Sequence, residues 1–486
     1  MKTLGSERPW RVWLWLFVIG LTAGRFYVAA RTGLAPDEAY YWQWSKNLGL
    51  SYPDHPPMIA WLIRLGTIIC GDTPLGVRLP GIIGAVAATF LCHRIALSVG
   101  LDEKHAAAAA ILSSALIAPA GAALIMTPDT PLGVLWLAAS ALLIRLSRGA
   151  DPRIWYGMAV VAALSILSKY SGFLLITLIG MVCIGERRRL EPTHHLIAAA
   201  GVMVALLLPH LIAEWQHGFS AGRFQGRHLM GRLPMAQALQ IPARLLALLS
   251  GQIGLMTPLV AIFAIKTLWE NPRRLRVLSL GLLLPILATA SAAVLTHPEQ
   301  NWASLGHPAA AILAVYGVSK STRLKRPLRW LAGVVGSGIV LSVLVHVHLL
   351  YPYLPLPPKR DPTARLHGFE ALRAIPMDPD ADGIVCDNYG LAAQVAWQFR
   401  GQALGAPVVG ADRSALASLP TGRVILLDQA GDVAGAEIPM RCERLLSSRV
   451  IPLRLKSSGV WDRVNVSVGT GCRVSPPNTV VTPPNR

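Results

Sequence analysis

Apolar segments long enough to form membrane helices alternate with short polar loops over about the first 350 residues of the chain. A helix needs about 20 apolar residues to cross the hydrocarbon core, and shorter or Gly- and Pro-containing helices occur where protein surrounds them. The pattern therefore predicts about eleven transmembrane helices. They cover residues 12–30, 75–97, 106–125, 132–146, 154–167, 173–184, 196–213, 245–265, 277–295, 304–318 and 331–349.

Two apolar segments have a different interpretation. Val28-Ala29-Ala30 resembles the cleavage site of a signal peptide, but we favour an uncleaved anchor because many further spans follow. Residues 56–70 predict a helix that lies in the membrane interface instead of crossing it. Its predicted apolar face carries Met58, Ile59, Leu62, Leu65 and Ile69, and Arg64 and Thr67 lie opposite.

Arginine and lysine are concentrated in alternate loops, which fixes the predicted orientation. The basic loops lie within residues 94–104, 145–153, 187–189, 266–276 and 320–329. By the positive-inside rule these loops are cytoplasmic. A chain that starts inside and crosses eleven times ends outside, so we expect the tail from Tyr351 onward to be extracytoplasmic.

The tail changes in composition and predicts a small α/β domain. Residues 383–386 and 423–428 read as strands, and residues 391–399 between them read as a helix. The predicted organisation is a transmembrane domain over 1–350, the α/β domain over 351–474 and a disordered Pro-rich end over 475–486. One disulfide among Cys386, Cys442 and Cys472 is compatible with an oxidising compartment, and the spacing does not choose the pair.

Composition agrees with a membrane protein. The chain of 486 residues is 53% hydrophobic and 15% charged, whereas soluble domains carry roughly 25% charged residues. The formal net charge of +19 would suggest nucleic acid in a soluble protein. Here the basic residues lie between apolar segments, as in loops that face an anionic lipid leaflet.

The residues with chemical potential lie in the loops predicted to be outside. The first such loop contains Asp37 and Glu38 beside several aromatic residues, followed by Asp54 and His55. A structural interpretation is available, because Pro36 suits the first position of a helix and acids are favoured in its first turn. Local sequence does not decide between a helix start and an active site.

Five short motifs in these loops resemble the bacterial glycosyltransferase 39/83 group, whose members have the GT-C fold. This group is related to protein O-mannosyltransferases and to the aminoarabinose transferase of lipid A. The resemblance covers about residues 10–349. The motifs are Asp37-Glu38-Ala39-Tyr40-Tyr41-Trp42, Asp54-His55-Pro56-Pro57, Thr127-Pro128-Asp129-Thr130-Pro131-Leu132, Leu167-Ser168-Lys169-Tyr170-Ser171-Gly172 and Asn301-Trp302.

The resemblance implies an inner-membrane enzyme that moves a hexose or pentose from a polyprenyl-phosphate donor to a lipid, polysaccharide or protein hydroxyl on the outer face. It implies Asp37 as the general base, with Glu38 and Asp129 as further catalytic carboxylates. The implied donor-phosphate ligands are Lys169, Tyr170, Arg227 and His228. The implied substrate-binding residues are Tyr40, Tyr41, Asp54, His55, Asn301 and Trp302. The chemistry fits, since attack of a hydroxyl needs a base and the departing phosphate needs nearby positive charge.

Each of these residues also has a structural interpretation. Asp129 is placed to cap the helix that follows it, and Lys169 is placed to extend its ammonium to the lipid headgroups. Arg223, Arg227 and His228 are compatible with a solvated loop face. Tyr40, Tyr41, Trp42 and Trp44 are compatible with an aromatic belt at the membrane interface.

No cofactor is expected, and a divalent metal is the weakest of the hypotheses. Its ligands would be His55 and His297 with Glu299 or His307, whose spacing resembles no ligand motif. The main alternative to a transferase is a lipid or sugar transporter. Transporters carry charged residues inside their spans and often inverted repeats, whereas the acids here cluster in outer loops. A non-enzymatic scaffold for the tail would leave Asp37, Asp129 and Lys169 unexplained.

Overall fold

The computed structural model divides the chain into two compact units. The first comprises Met1–Ala30 and Trp44–His346, and the second comprises Arg31–Gln43 and Val347–Arg486. The structure describes residues 8–185, 193–229, 239–271, 275–296, 299–354, 356–357, 361, 363–375, 380–401, 408–410, 423–430, 440–455, 459–470 and 472–474. The predicted disordered end, residues 475–486, lies outside these ranges.

The first unit is helical, and three helices, α1, α2 and α16, include residues of both units. The helices are α1 (Arg8–Arg31), α2 (Pro36–Lys46), α3 (Met58–Cys70), α4 (Pro74–Ser98), α5 (Glu103–Ala115), α6 (Ile117–Ala122), α7 (Asp129–Leu146), α8 (Ile154–Ser168), α9 (Phe173–Gly185), α10 (Thr193–Gln216), α11 (Ser220–Leu229), α12 (Ile241–Met256), α13 (Pro258–Glu270), α14 (Arg276–Leu295), α15 (His307–Lys320) and α16 (Pro327–Leu350). Short 3₁₀ helices cover Tyr170–Gly172 and Gln300–Gly306.

Among the described residues, six helices are long and apolar enough to cross a membrane, or seven if a bent pair counts as one span. The six are α1, α4, α7, α10, α14 and α16. Every segment predicted to span coincides with helix, but α8, α9 and α15 have only 15, 13 and 14 residues. At 1.5 Å per residue they are roughly 20 Å long, so the eleven-span topology remains a prediction.

Two predicted spans are interrupted in the structure. Residues 106–125 divide into α5 and α6 at Leu116, which has extended backbone. Residues 245–265 divide at Thr257 into α12 and α13, whose axes are bent by 104°. Thr257 has a φ of 73° and precedes Pro258. A residue before proline is disfavoured in the helical conformation, which accounts for the second break.

Helix α3 is present as predicted, but its buried and exposed sides differ from the prediction. Thr67 is buried, whereas Leu65 and Ile69 are exposed. The reason is close packing against α4: a Cβ on Gly66 would lie 2.2 Å from the backbone oxygen of Gly76. The Gly66 side of the helix therefore faces protein. That α3 lies in the membrane interface remains a prediction.

Helix α15 lies in the core of the first unit. Every residue from His307 to Val318 is buried, and α15 packs on α5, α13 and α14. A helix that is apolar on all sides is typical of such a central position. Its burial explains why a 14-residue helix is stable there, because it is surrounded by protein instead of lipid.

The second unit contains a five-stranded mixed sheet. Its strand order is β2-β1-β3-β6-β5, in which β1 pairs in parallel with β2 and β3, and β6 pairs antiparallel with β3 and β5. The strands are β1 (Gly383–Cys386), β2 (Val408–Gly410), β3 (Val424–Ala430), β4 (Met440–Arg441), β5 (Arg444–Leu455), β6 (Gly459–Thr470) and β7 (Arg473–Val474).

The two predicted strands and the helix between them are present, as β1, β3 and α17 (Tyr389–Gln398). The side chain of Asn388 caps α17 by accepting a 2.7 Å hydrogen bond from the Leu391 amide. Cys442 and Cys472 form a disulfide, whereas Cys386 is a buried free thiol. A Cβ on Gly469 would lie 2.6 Å from the Cys442 sulfur, so the bridge requires glycine there.

Candidate functional site

Asp37 and Glu38 lie in the first turn of α2, but their side chains have different environments. The Glu38 carboxylate is fully buried and accepts a 2.9 Å hydrogen bond from the backbone N–H of Ala35. This is half of a capping box, in which an acid in the first turn reaches back to the residue before the helix. Glu38 therefore stabilises the helix start, while Asp37 is half-buried.

The Asp37 carboxylate is held by a residue of the tail. The hydroxyl of Tyr389, at the beginning of α17, donates a 2.9 Å hydrogen bond to Asp37 Oδ1. The ring of Tyr40 lies 4.8 Å from the ring of Tyr389 and 6.0 Å from that of Tyr41. Among the described residues no other hydrogen bond to the Asp37 side chain occurs, so Oδ2 is available to a substrate.

Residues 31–43 are anchored within the second unit by further contacts. The Gln394 side-chain amide donates a 2.7 Å hydrogen bond to the backbone oxygen of Leu34. The rings of Trp42 and Trp397 meet edge to face at 4.9 Å. Trp42 is buried, as is Trp44, which stacks on Tyr52 within the first unit at 4.6 Å. The belt interpretation is therefore wrong for these two tryptophans, because their rings pack on protein.

A second carboxylate, Asp129, begins α7 in the first unit and forms an ion pair. Lys169 Nζ lies 2.8 and 2.9 Å from the two carboxylate oxygens of Asp129. Both side chains are only 14% exposed. Asn301 Nδ2 donates a further 3.0 Å hydrogen bond to Asp129 Oδ2, and Lys169 Nζ lies 5.9 Å from the centre of the Trp302 ring.

The structure thus brings together Asp129, Lys169, Asn301 and Trp302, which come from three predicted outer loops. It does not support the structural interpretations of two of them. The start of α7 has no side-chain cap, because the Asp129 oxygens contact Lys169 and Asn301. Lys169 does not extend to headgroups, because its ammonium is bound inside the protein. Charge-assisted hydrogen bonds of this kind are roughly twice as strong as neutral ones.

Tyr170 follows Lys169 in the chain but lies in a different cluster. Its hydroxyl lies 3.4 Å from His210 Nε2, and His210 Nδ1 lies 2.8 Å from the backbone oxygen of Leu50. Burial first, and then the neighbouring Glu214 carboxylate, raises the pKa of Tyr170 above its usual value. Tyr170 is thus a neutral phenol at physiological pH. Its hydroxyl takes part in this partly buried network, and its phosphate-binding role stays a prediction.

Glu214 connects this network to the loop that carries Asp54. The buried Glu214 carboxylate accepts hydrogen bonds from the Ser51 hydroxyl and, at 3.4 Å, from the Gly222 amide. Gln225 donates a 3.0 Å hydrogen bond to the backbone oxygen of Asp54. The Asp54 and His55 side chains are both half-buried. These contacts hold the loop of residues 51–55 against the end of α10 and the middle of α11.

The remaining predicted residues are placed as follows. The side chains of Arg227 and His228, as well as His297, lie outside the described residues. Within the described part of the chain, no group of three or more His, Cys, Asp and Glu side chains is arranged to hold a metal ion. His307 is instead hydrogen-bonded through Nε2 to the side-chain oxygen of Gln252 at 2.8 Å.

Sequence reasoning missed Tyr389 and Glu214. Tyr389 follows the carboxyl end of β1 in a sheet with parallel pairs, a place where functional residues of α/β sheets are often found. Glu214 is a single acid directly after a long apolar segment, and His210 lies one turn before it. Both features can be seen in the sequence, but neither shows which residue Tyr389 or Glu214 contacts.

Comparison with known proteins gives related sequences. Residues 54–213 match the family described as dolichyl-phosphate-mannose-protein mannosyltransferase. The lipid A galacturonosyltransferase RgtD of Rhizobium johnstonii is 28% identical over 409 residues, which are 79% of this chain and 82% of that protein. The undecaprenyl phosphate-alpha-4-amino-4-deoxy-L-arabinose arabinosyl transferase 2 of Pseudomonas fluorescens is 27% identical over 245 residues, 46% of this chain and 42% of that protein.

Solved structures give the fold. ArnT from Cupriavidus metallidurans in the apo state superposes with a TM-score of 0.65 and 14% identity, covering 94% of this chain and 98% of ArnT. The structure of ArnT from the same organism bound to undecaprenyl phosphate superposes with a TM-score of 0.63 and 16% identity, again covering 94% of this chain and 98% of ArnT. These findings confirm the resemblance seen in the sequence. The chain has the GT-C fold of these ArnT structures, and residues 54–213 are similar in sequence to the protein mannosyltransferase family.

Proposed function

We propose that this protein transfers a sugar from a polyprenyl-phosphate donor to a hydroxyl of a lipid acceptor at the outer face of the plasma membrane. Asp37 is the general base. The observation that carries this assignment is the contrast among the three predicted carboxylates. Glu38 caps a helix and Asp129 is neutralised by Lys169, whereas Asp37 has one oxygen fixed by Tyr389 and the other available.

The reaction needs one base and one anion-binding group. Asp37 removes the proton from the acceptor hydroxyl as its oxygen attacks the anomeric carbon. The bond from that carbon to the phosphate oxygen breaks, and the polyprenyl phosphate leaves with the electron pair. A base of this kind contributes roughly 10²–10⁴-fold to the rate. No acid is required, because a phosphate leaves readily without protonation.

Lys169 is the group assigned to the departing phosphate. An ammonium has three N–H donors, and in this protein Asp129 holds Lys169 in place with little exposure to solvent. The positive charge is therefore preorganised where the phosphate charge grows, which is the most effective form of electrostatic catalysis. A solved ArnT structure that contains undecaprenyl phosphate supports a lipid phosphate as the ligand class.

A lipid is the acceptor class that the relatives favour. The RgtD relative is described as a lipid A enzyme, so lipid A or a similar glycolipid is the first acceptor to test, before a polysaccharide or a protein. The sugars in the names of the two relatives differ in charge. Galacturonic acid is an anion, and aminoarabinose carries an amine.

The membrane placement combines two independent arguments. The basic loops favour a cytoplasmic N-terminus and eleven spans, of which the short helix α15 is surrounded by protein. The Cys442–Cys472 disulfide favours a tail outside the cytoplasm, because disulfides persist in oxidising compartments. A reporter fused after Lys325 is then expected to lie inside and one fused after Tyr353 outside.

Mass spectrometry of envelope lipids tests the proposed function. Cells that express the protein should contain a glycolipid whose mass exceeds that of its precursor by one sugar residue, and deletion should remove it. Wild-type protein restores the product, whereas Asp37→Asn at equal membrane abundance does not. Envelope lipids and glycans that are identical with and without the protein would contradict the proposal.

A further inference from the structure

A cavity with a few polar groups in a mostly apolar wall lies in the first unit beside Asp129. Its volume is about 80 Å³, and its lining includes Arg25 of α1, Ser113 and Ser114 of α5, and Asp129 and Gly133 of α7. One water takes about 10–15 Å³ on this scale, so the cavity has room for several waters or for one polar substituent of a larger ligand. Much of the remaining wall consists of glycine and alanine, which leaves the space open.

Arg25 is a buried charge within an apolar helix. Its side chain is 2% exposed, so it does not extend to the membrane surface. Nη2 donates a 3.0 Å hydrogen bond to the backbone oxygen of Ser114, while Nε is buried without a hydrogen-bond partner. Among the described residues no carboxylate pairs with Arg25. A charged side chain buried in this way is costly and marks a functional site in membrane proteins.

The charges around the cavity favour a negative ligand. Among the described residues that line it, Asp129 is the one acid, and its carboxylate is paired with the ammonium of Lys169. The guanidinium of Arg25 therefore adds an uncompensated positive charge. An anionic group in the cavity would compensate this charge, whereas an amine would be repelled. Arginine is suited to carboxylates and phosphates because of its planar array of donors.

We propose that this cavity binds the carboxylate of an acidic sugar, so that the group transferred is a uronic acid and not an amino sugar. The inference rests on the proposed function and specifies its substrate class. The small volume agrees with entry of the C6 substituent alone, with the sugar ring outside. The phosphate of the same donor is assigned to Lys169, which leaves Arg25 for the second negative charge of the molecule.

Two donors that differ only at C6 provide the test: polyprenyl-phosphate galacturonic acid and polyprenyl-phosphate galactose. Full-length wild-type protein should use the acidic donor with a kcat/KM at least about tenfold higher, as a lost charge-assisted contact implies. Arg25→Met should remove this preference by slowing the acidic donor alone, and Arg25→Lys should keep part of it. Equal slowing of both donors would mean that Arg25 binds the lipid phosphate, and the inference would be overturned.

A second variant tests the cavity without removing the charge. A Cβ on Gly133 meets nothing within 4 Å, so Gly133→Leu should fill the space while the protein stays folded. The preference for the acidic donor should fall, because its carboxylate can no longer reach Arg25, whereas any steric slowing is shared by both donors. Gly20→Leu is the matched control, because Gly20 also has nothing within 4 Å and does not line the cavity. An unchanged preference in Gly133→Leu would contradict the inference even if Arg25→Met failed to fold.

The outcomes distinguish failure of the acidic-sugar inference from failure of the proposed function. If wild-type protein transfers both sugars equally and Asp37→Asn transfers neither, the proposed function stands and the acidic-sugar inference fails. If wild-type protein transfers no sugar from either donor or from a donor that carries an amino sugar, the proposed function fails. Faster transfer of the amino sugar than of the uronic acid would overturn the inference alone.

Discussion

The two carboxylates Asp37 and Asp129 begin from the same local sequence and end in different chemical environments. Each follows a proline in the first turn of a helix, in Ala-Pro-Asp and Thr-Pro-Asp respectively. Asp37 is held by the phenol of Tyr389, which is 352 residues away in the chain. Asp129 is held by the ammonium of Lys169, which is 40 residues away. The position at a helix start therefore does not determine the role of either acid. The role depends on the distant residue that each carboxylate contacts.

The difference between the partners separates the proposed roles. The Lys169 ammonium and the Asn301 amide engage both oxygens of Asp129, which limits the approach of a substrate hydroxyl to this carboxylate. A single phenol fixes the orientation of Asp37 and leaves Oδ2 open. We therefore assign removal of the acceptor proton to Asp37, and we assign to Asp129 the positioning of the Lys169 ammonium.

The largest effect is expected from Asp37→Asn, with Glu38→Gln as its neighbouring control. The asparagine preserves size but cannot accept the proton, so turnover should fall by roughly 10²-fold or more with donor affinity unchanged. In Glu38→Gln the side-chain oxygen still accepts from Ala35, so turnover should stay within about threefold. Steady-state kinetics of the purified variants measures both. If Glu38→Gln lost more turnover than Asp37→Asn, Glu38 would be the base and Asp37 would not.

The next effect concerns Lys169 and separates a phosphate contact from support of Asp129. Lys169→Met should weaken binding of undecaprenyl phosphate by about tenfold, the typical value of one charge-assisted hydrogen bond. The same loss should appear when Lys169→Met is added to Asp129→Asn, in which no unpaired carboxylate remains. Isothermal titration with undecaprenyl phosphate measures the affinities of wild-type protein, the two single variants and the double variant, which together form a double-mutant cycle. If Lys169→Met has no effect in the Asp129→Asn background, Lys169 serves only Asp129.

A smaller effect is expected from Tyr389→Phe. The phenylalanine keeps the ring contact with Tyr40 but lets the Asp37 carboxylate rotate, so turnover should fall by about three- to tenfold, as loss of one neutral hydrogen bond implies. Donor affinity should stay the same. The double variant Asp37→Asn/Tyr389→Phe should be no slower than Asp37→Asn alone, because the two residues act as one unit. Additive losses would assign Tyr389 a separate role.

The smallest effect on transfer is expected from Cys442→Ser. Loss of a disulfide that closes 30 residues destabilises a domain by about 2–4 kcal/mol, so limited proteolysis should cleave residues 440–474 faster. Transfer at low temperature should stay close to normal. In wild-type protein, maleimide should label Cys442 only after reduction and Cys386 not at all, because burial raises the pKa of the Cys386 thiol. Labelling of Cys442 without reduction would contradict an oxidised tail.

The sequence predicted the helices well because apolar length is a local property. The breaks at Leu116 and Thr257 were not predicted, although Pro258 is a signal for the second one. Asp129 contacts Lys169 and Asn301. This agrees with the prediction, made from the distribution of basic residues, that their three loops lie on the same side of the membrane. Tyr389 was not predicted, because a contact between residues so distant in the chain depends on how the tail folds around residues 31–43. Arg25 lies within the first predicted span, and that no described carboxylate pairs with it is visible only in three dimensions.

The most direct test of the account compares Asp37→Asn and Asp129→Asn at saturating donor in single-turnover experiments with the purified full chain. Saturation removes differences in donor binding and leaves the transfer step itself. We predict that Asp129→Asn loses at most about tenfold, because a less firmly held Lys169 still carries its charge, whereas Asp37→Asn remains roughly 10²-fold slower. A slow Asp129→Asn protein beside a near-normal Asp37→Asn protein would contradict it, and Asp129 would then be the base.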